Sequence, residues 1–219
     1  MQSFLQSQIQ SPNIYLGDDG ADEPVVLGNK LLDIMNQLCD GIRACMWVNG
    51  AGPAGLAAGE QLRKLGYQIK IYDRYDRPGG LLIYGIPNFK LEKDIVQRRT
   101  KLLEDSGVEF KLNFNVGKDK TFNELREEHD AIVIATGVYK SRDINLNESN
   151  FSNVIPALDY LTTSNKVGLK DKIEDFDNGL LNAHNKNVIV VGGGDTAMDC
   201  VRTAVRQGAK DVKCLYRRD

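Results

Sequence analysis

Short apolar runs alternate with longer amphipathic stretches along most of this 219-residue chain. Apolar runs between turn signals predict buried strands, and apolar positions at helical spacing predict helices between them. The predicted strands are 44–48, 68–73, 108–112, 131–135, 187–191 and 212–216, and the predicted helices are 56–65, 91–104, 121–128, 157–163 and a segment ending at 206. Strands that alternate with helices indicate an α/β fold with a parallel sheet. The continuous run 131–135 is typical of a central strand.

The first predicted strand leads into a turn with the spacing Gly-x-Gly-x-x-Gly, at Gly50, Gly52 and Gly55. The first glycine permits the bend, the second lets backbone N–H groups approach a pyrophosphate, and the third lets the next helix pack on the strand. The N-terminus of that helix favours an anion. About 20 positions later the second strand ends in Asp73, whose carboxylate can accept from a ribose hydroxyl. The turn therefore predicts a dinucleotide site, against the alternative of a merely structural turn.

A second turn of this kind, GGGDTA at 192–197, follows the predicted strand 187–191. Two such units in one chain are far more specific than one, and they predict two dinucleotide sites. Asp73 in the first unit would repel a 2′-phosphate, whereas Arg217 and Arg218 in the second unit offer donors suited to one. We therefore expect FAD or NAD at the first site and NADPH at the second. The alternative for the arginines is a solvated strand end, with Asp219 pairing with one of them.

Composition and charge exclude several other classes of protein. The chain is 42% hydrophobic and 26% charged, and its formal net charge of −2 offers no general attraction to nucleic acid or an anionic membrane. No apolar run is long enough to span a bilayer, and the polar N-terminus lacks the apolar core of a signal peptide. The four cysteines are unevenly spaced, which indicates reduced thiols in a cytoplasmic protein. Cys39 and Cys45 match no common metal spacing.

From about Val48 to Asp219 the chain resembles the family of NADPH-oxidising small subunits of glutamate synthase, within the flavoprotein pyridine nucleotide–disulfide reductase superfamily. The matching stretches are GAGPAGLAA at 50–58, GGLLIYGIPNFKL at 79–91, ATG at 135–137, DYL at 159–161, GGGDTAMDC at 192–200 and YRRD at 216–219. The stretch 79–91 is more specific than a glycine turn, because it joins a flavin loop to an extended Gly-Ile-Pro turn. The resemblance implies a Rossmann-like FAD-binding domain followed by the beginning of a second Rossmann-like, NADPH-binding domain.

The resemblance also implies an electron-transfer activity. NADPH would reduce FAD, and the electrons would pass through iron–sulfur clusters to a larger subunit that forms glutamate from glutamine and 2-oxoglutarate. Hydride transfer between stacked rings depends on orientation more than on acid–base groups, so we predict no catalytic acid, nucleophile or metal ligand. The alternatives are a reductase subunit that serves another electron acceptor and a non-catalytic dinucleotide-binding module. A disulfide reductase resembling thioredoxin reductase would need a Cys-x-x-Cys pair, which the sequence lacks.

The turns and the resemblance together predict the cofactor contacts. For FAD they are Gly50, Ala51, Gly52, Pro53 and Ala54 at the pyrophosphate, Asp73 at the ribose, Gly80, Leu81 and Lys90 along the flavin, Val116 near the adenine, and Thr136 and Gly137 in a turn against the ligand. For NADPH they are Gly192, Gly193, Gly194, Asp195, Thr196, Arg217 and Arg218.

Three departures from the family pattern shape the expected domain organisation. Asn49 stands where the family has an aliphatic residue, the cysteine clusters that hold iron–sulfur centres are not visible in 1–47, and the chain stops at Asp219, early in the second domain. We therefore expect a fragment with three parts: a poorly defined segment 1–43, the N-terminal part of an FAD-binding domain at 44–185, and a truncated NADPH-binding domain at 186–219. By itself such a fragment is expected to be inactive.

Overall fold

The computed structural model describes residues 45–138 and 153–216. Every described residue belongs to one compact unit, which spans residues 43–219. The predicted segment 1–43 and the two arginines at 217 and 218 therefore lie outside the described residues. The predicted domain boundaries stay predictions.

Four parallel strands form the first sheet, in the spatial order β3-β2-β1-β4. These strands are β1 (Cys45–Asn49), β2 (Gln68–Tyr72), β3 (Val108–Lys111) and β4 (Ala131–Ile134). The register pairs Val48 of β1 with Ile71 of β2 on one side and with Val133 of β4 on the other. The chain runs outward from β1 to β3 and then returns to the other side of β1. Strand order therefore reverses beside β1, and ligands of doubly wound sheets bind at the carboxyl ends of strands at such a point.

Helices connect the strands of this sheet. They are α1 (Pro53–Lys64) between β1 and β2, α2 (Leu81–Tyr84) and α3 (Lys93–Asp105) between β2 and β3, and α4 (Phe122–Glu127) before β4. α1 packs closely on β2 through Gly59, where an added Cβ would lie 2.8 Å from Cδ1 of Ile71. Leu62 of α1 and Ile71 of β2 are fully buried. The core of this part of the chain therefore lies between α1 and the sheet.

The start of α4 and the position of β4 show how local and non-local sequence signals differ. As predicted, Thr121 caps α4: its hydroxyl accepts from the N–H of Glu124 (3.2 Å), whose carboxylate accepts from the N–H of Thr121 (2.8 Å). The central position predicted for the run 131–135 is wrong within the described residues, because β4 is an edge strand there. Its side chains are only half-buried, and Ile134 is exposed. A continuous apolar run does not fix a strand's place in the sheet.

A second β-α-β unit lies near the end of the described residues. Two helices come before this unit, α5 (Ala157–Gly168) and α6 (Glu174–Asp177). The unit itself consists of the strand β5 (Asn187–Val191), the helix α7 (Asp195–Arg206) and the strand β6 (Asp211–Leu215), which is parallel to β5. α5 connects this unit to the first sheet's helices through side-chain hydrogen bonds. The amide of Asn165 donates to the carbonyl of Tyr84 on α2 (2.8 Å), and the hydroxyl of Tyr160 donates to Gln207 at the end of α7 (2.8 Å).

Candidate functional site

Two positions of the first glycine-rich turn have no room for a side chain. Gly50 has a φ of +109°, and a Cβ there would lie 2.3 Å from the carbonyl oxygen of Ala135. At Gly55 a Cβ would lie 1.7 Å from the carbonyl oxygen of Gly50. The N–H of Gly50 donates to the carbonyl of Tyr72 (2.8 Å), which holds the turn between the ends of β1 and β2. The close packing of turn, strand and helix that the sequence predicts is therefore present.

The middle glycine, Gly52, faces open space. Among the described residues no atom lies within 4 Å of the position that its Cβ would take. Gly52 is the N-cap residue of α1, Pro53 is the first helical residue, and no side chain in the described part of the chain caps this helix. The first-turn N–H groups of a 12-residue helix therefore remain available, together with their partial positive charge. This arrangement fits the pyrophosphate of a dinucleotide.

Asp73, the predicted ribose acceptor, follows β2 with its side chain buried. One carboxylate oxygen accepts a hydrogen bond of 2.6 Å from the N–H of Ala51, and the other accepts one of 2.9 Å from the N–H of Tyr75. Asp73 thus holds the first glycine-rich turn in place, a role that the sequence did not predict. Each carboxylate oxygen can accept a second hydrogen bond, so a ribose hydroxyl can still donate to it. The ribose contact itself stays a prediction.

The segment 79–92, which contains α2, reaches the first turn through its glycines. The N–H of Gly79 donates to the carbonyl of Ala51 (2.7 Å). Gly79 and Gly80 have φ values of +127° and +53°, which favour glycine. Leu81, the first residue of α2, is 40% exposed and so leaves its side chain accessible to a ligand. The structure therefore brings the predicted positions Ala51, Gly80 and Leu81 to one place.

The predicted turn after β4 lies against Gly50 of the first glycine-rich turn. Cα of Thr136 is 3.3 Å from the position that a Cβ of Gly50 would take, and Gly137 has a φ of +68°. Both residues are exposed. They therefore border the carboxyl end of β1, where the strand order reverses.

Val116 and Lys90 are placed differently from the other predicted FAD contacts. Val116 is partly buried against Tyr72 and Leu125, beside the end of β2. Nζ of Lys90 lies 3.0 Å from each carboxylate oxygen of Asp199 on α7. The structure thus pairs Lys90 with the second β-α-β unit, and its contact with the flavin stays a prediction.

A polar network around Tyr84 of the segment 79–92 was not predicted from the sequence. Arg77 forms two hydrogen bonds of 2.7 Å with the carboxylate of Asp171, and it donates to the hydroxyl of Tyr84 (3.0 Å). Asp76 accepts from Arg77 (2.9 Å) and from the hydroxyl of Tyr84. The bond from Arg77 lowers the pKa of Asp171, while burial and the bond to Asp76 raise the pKa of Tyr84. Asp171 is 94 positions from Arg77, and no local motif marks it.

Lys93 is a second residue that the sequence did not single out. Its side chain is buried at the start of α3, where Nζ donates to the carbonyls of Leu82 (3.0 Å) and Ile86. Burial lowers the pKa of Lys93 to about 8. Its own N–H donates to the side-chain oxygen of Asn88 (3.1 Å). Lys93 therefore fixes the backbone of the segment 79–92 from inside.

The second glycine-rich turn repeats the geometry of the first. Gly192 has a φ of +138°, and its N–H donates to the carbonyl of Leu215 (2.9 Å) at the end of β6. Gly194 is the N-cap residue of α7, and within the described residues no atom lies within 4 Å of its Cβ position. Gly193 packs against the ring of Tyr216, where a Cβ would lie 2.1 Å from the ring. The turn therefore offers an open helix N-terminus at Gly194.

The remaining predicted NADPH contacts follow this turn. Asp195 and Thr196 are exposed in the first turn of α7. Arg217 and Arg218 lie outside the described residues, so their contact with a 2′-phosphate stays a prediction.

Within residues 45–138 and 153–216, no group of three or more His, Cys, Asp or Glu side chains forms a candidate metal site. In the same residues no helix is long and apolar enough to cross a membrane.

The order β3-β2-β1-β4, an open helix N-terminus at each glycine-rich turn and a second β-α-β unit define a dinucleotide-binding protein with two Rossmann-like units. The chain belongs to the pyridine nucleotide-disulphide oxidoreductase family, whose model matches residues 46–219. This membership confirms the predicted α/β fold class and the predicted oxidoreductase class, and it supports the prediction of FAD and NADPH as cofactors.

Individual relatives are consistent with this family. The chain is 64% identical over 172 residues to the glutamate synthase [NADPH] small chain of Azospirillum brasilense, which is 78% of this chain and 36% of that relative. It is 44% identical over 172 residues to the putative oxidoreductase AegA of Escherichia coli (strain K12), which is 78% of this chain and 26% of that relative. The chain thus spans little more than a third of the first relative's length. The predicted resemblance to glutamate synthase small subunits is confirmed.

Solved structures share the fold. Mycobacterium tuberculosis FprA in complex with NADPH is similar with a TM-score of 0.61 and 20% sequence identity, and the match covers 78% of this chain and 42% of that one. At this identity the similarity shows the fold alone.

Proposed function

We propose that this chain supplies the FAD-binding core and the first part of the NADPH-binding domain of a glutamate synthase small subunit. In this role the protein passes electrons from NADPH through FAD to a large subunit, which forms glutamate from glutamine and 2-oxoglutarate. One observation carries the proposal: Gly52 and Gly194, the N-cap glycines of two Rossmann-like helices, both face open space in a chain 64% identical to a glutamate synthase small chain.

The residues around the first turn would bind and orient FAD. Its pyrophosphate would lie against the backbone of Gly50, Ala51, Gly52, Pro53 and Ala54, its ribose at Asp73, its flavin along Gly80, Leu81 and Lys90, its adenine near Val116, and the turn Thr136–Gly137 beside it. When bound, FAD supplies a group that accepts a hydride and releases single electrons. The chain's own contribution is to hold the cofactor in place. The first turn is itself held at Ala51, which forms hydrogen bonds with Asp73 and with Gly79.

The second turn would hold the pyrophosphate of NADPH. The residues concerned are Gly192, Gly193, Gly194, Asp195 and Thr196, with Arg217 and Arg218 at the 2′-phosphate. Gly194 leaves the first-turn N–H groups of α7 accessible, and α7 is long enough, at 12 residues, to carry a helix dipole. Guanidinium groups pair with a phosphate through paired donors, which gives a reason to expect NADPH rather than NADH.

The partner and the compartment follow from the same proposal. A small subunit requires a large subunit that accepts its electrons, and we place both in the cytoplasm because the uneven spacing of the four cysteines is typical of reduced thiols. A second candidate function is favoured by the 44% identity to AegA, a putative oxidoreductase: the same reductase unit would then serve another electron acceptor.

A chimaera tests the proposal. In it, residues 46–219 replace the aligned segment of the A. brasilense small chain, and the parent small chain is the positive control. We expect the chimaera to carry bound oxidised flavin, seen in its visible absorption, to oxidise NADPH with a dye acceptor, and to support glutamate formation with the large subunit.

Each other outcome of this experiment contradicts a defined part of the proposal. A folded but colourless chimaera, judged by circular dichroism, would contradict the flavin site and favour a non-catalytic module. Dye reduction without glutamate formation would favour another electron acceptor.

A further inference from the structure

An ion pair joins the segment 79–92 to the helix that begins at the second glycine-rich turn. Asp199 lies on α7 with its side chain only 8% exposed, and each of its carboxylate oxygens is 3.0 Å from Nζ of Lys90. A buried carboxylate is stable only when its charge is paired and hydrogen-bonded. The burial of Asp199 therefore fixes the position of Lys90, 109 positions away in the sequence.

Two arginines on the same face of α7 hold the neighbouring residue. Arg202 and Arg206 follow Asp199 by three and seven positions, so the three side chains share one face of the helix. The guanidinium carbons of Arg202 and Arg206 lie 4.8 and 3.9 Å from the ring centroid of Phe89, at the distance of a cation–π contact. One face of α7 therefore holds both Phe89 and Lys90.

The segment 79–92 is also anchored at other points. The N–H of Gly79 donates to the carbonyl of Ala51 in the first glycine-rich turn. The side chain of Lys93 donates to the carbonyls of Leu82 and Ile86 within the segment. Residues 87–90 of the segment form a tight turn, in which the N–H of Lys90 donates to the carbonyl of Pro87 (2.9 Å). These contacts form a continuous connection from the first glycine-rich turn to α7.

We propose that Asp199 is a positioning residue that sets the distance and orientation between the two nucleotide sites. It holds Lys90, and with Arg202 and Arg206 it fixes the turn 87–90 to α7, whose N-terminus is the second nucleotide site. Hydride transfer requires the nicotinamide and flavin rings in one geometry, and a small displacement lowers its rate sharply. The catalytic consequence rests on the proposed function, whereas the contact between the turn and α7 does not.

The contact is tested without any cofactor by amide hydrogen exchange on the 219-residue chain. In Asp199→Asn we expect faster exchange at the amides of 88–91, because the turn loses its anchor, and unchanged exchange in β1 and β2. The matched control is Asp105→Asn, which breaks an exposed Lys–Asp pair of the same length, 3.0 Å, on α3. Unchanged exchange at 88–91 in Asp199→Asn would overturn the inference.

The catalytic consequence is tested in the chimaera described above by stopped-flow reduction with NADPH. We expect Asp199→Asn to retain bound FAD and to slow flavin reduction at saturating NADPH by about 10- to 100-fold, with rescue by Asp199→Glu. Phe89→Leu, which keeps an apolar side chain and removes the π face, is a milder second variant and should act in the same direction.

The two proposals fail in different ways. If the unmutated chimaera is not reduced by NADPH, the proposed function fails, and the exchange experiment alone decides on the contact. If the unmutated chimaera is reduced and Asp199→Asn is reduced equally fast, the positioning role of Asp199 is wrong while the proposed function stands.

Discussion

Arg77 and Asp171 are 94 positions apart in the sequence and are joined by two hydrogen bonds of 2.7 Å, one from each terminal nitrogen of the guanidinium. This paired geometry is the strongest that an arginine makes with a carboxylate. It ties the end of the loop after β2 to the connection between α5 and α6. The segment 79–92 is thus held by Arg77 on one side and by Lys93 on the other.

The pair between Arg77 and Asp171 should give the protein's stability a defined dependence on acid pH. The bond from Arg77 lowers the pKa of Asp171. A carboxyl with a lower pKa in the folded state stabilises the fold above its unfolded pKa, about 3.9, and loses this effect as the pH falls through its folded pKa.

We therefore expect Asp171→Asn to destabilise the chain at pH 7 and to have a smaller effect as the pH falls below about 4. Urea unfolding between neutral and acid pH measures the difference in free energy of unfolding between variant and wild type. Asp105→Asn, in an exposed pair, is the control. A difference that stays constant over the whole range would contradict the prediction.

Lys93 should produce a dependence at alkaline pH. Its pKa is lowered from 10.5 to about 8 by burial. Between these two values the unfolded chain binds the proton more tightly than the folded one, so the contribution of Lys93 to stability rises with pH. We expect wild type to gain stability relative to Lys93→Met as the pH rises from about 8 to 10. Thermal unfolding of both proteins measures this, with Lys101→Met as the exposed control. A difference that is flat in this range would show that Lys93 titrates normally.

Asp73 should affect both stability and flavin binding. Its two oxygens accept from Ala51 and Tyr75, and an asparagine can accept through only one of them. We expect Asp73→Asn to lower the free energy of unfolding by about 1–3 kcal/mol and, in the chimaera, to weaken FAD binding by a similar amount. Asp130→Asn is the control, because Asp130 accepts from the N–H of Cys45 at the opposite end of β1. If both variants bind FAD like wild type, the ribose contact of Asp73 is wrong.

Arg217 and Arg218 should decide between the two pyridine nucleotides. Only NADPH carries the 2′-phosphate that their guanidinium groups would bind. In the chimaera we expect Arg217→Ala with Arg218→Ala to lower NADPH affinity far more than NADH affinity, measured by titration of each nucleotide. Arg98→Ala, on α3, is the matched control. An equal loss of both affinities would assign the two arginines a structural role.

The sequence predicted the features that arise from local geometry. Gly50 and Gly55 are identified by spacing alone, because each is required within a few residues of the turn, and the structure leaves no room for a Cβ at either. Thr121 is recognisable as a helix cap for the same reason: its partner Glu124 is three positions away. In each of these cases the physical constraint and the sequence signal lie in the same short stretch.

The long-range polar contacts could not be predicted in this way. Lys90 carries the same local signal whether its partner is a flavin or Asp199, and the partner becomes visible only when α7 is placed beside the segment 79–92. Lys93 begins a helix in an amphipathic pattern, where a lysine is usually exposed. Its burial results from the fold of the preceding backbone, whose carbonyls it binds.

The first glycine-rich turn provides the sharpest test of the candidate site, because substituting alanine at two glycines three positions apart should have different effects. One substitution should lower stability, and the other should lower only the affinity for FAD. Gly55→Ala would place a Cβ 1.7 Å from the carbonyl oxygen of Gly50. Gly52 has φ and ψ of −75° and −176°, which alanine adopts readily, and among the described residues its Cβ would contact nothing. We expect Gly55→Ala to lower the free energy of unfolding by about 1–3 kcal/mol or more. Gly52→Ala should change it by no more than about 0.5 kcal/mol.

Flavin binding should then separate the roles of the two positions. The Cβ of Gly52→Ala occupies the space that the pyrophosphate would fill, so in the chimaera this variant should remain folded and lose FAD affinity. Denaturant unfolding and flavin titration on the same protein samples measure both effects. If Gly52→Ala bound FAD as tightly as wild type, the open space at the N-terminus of α1 would not be the phosphate site, and the assignment of FAD to the first turn would have to be abandoned.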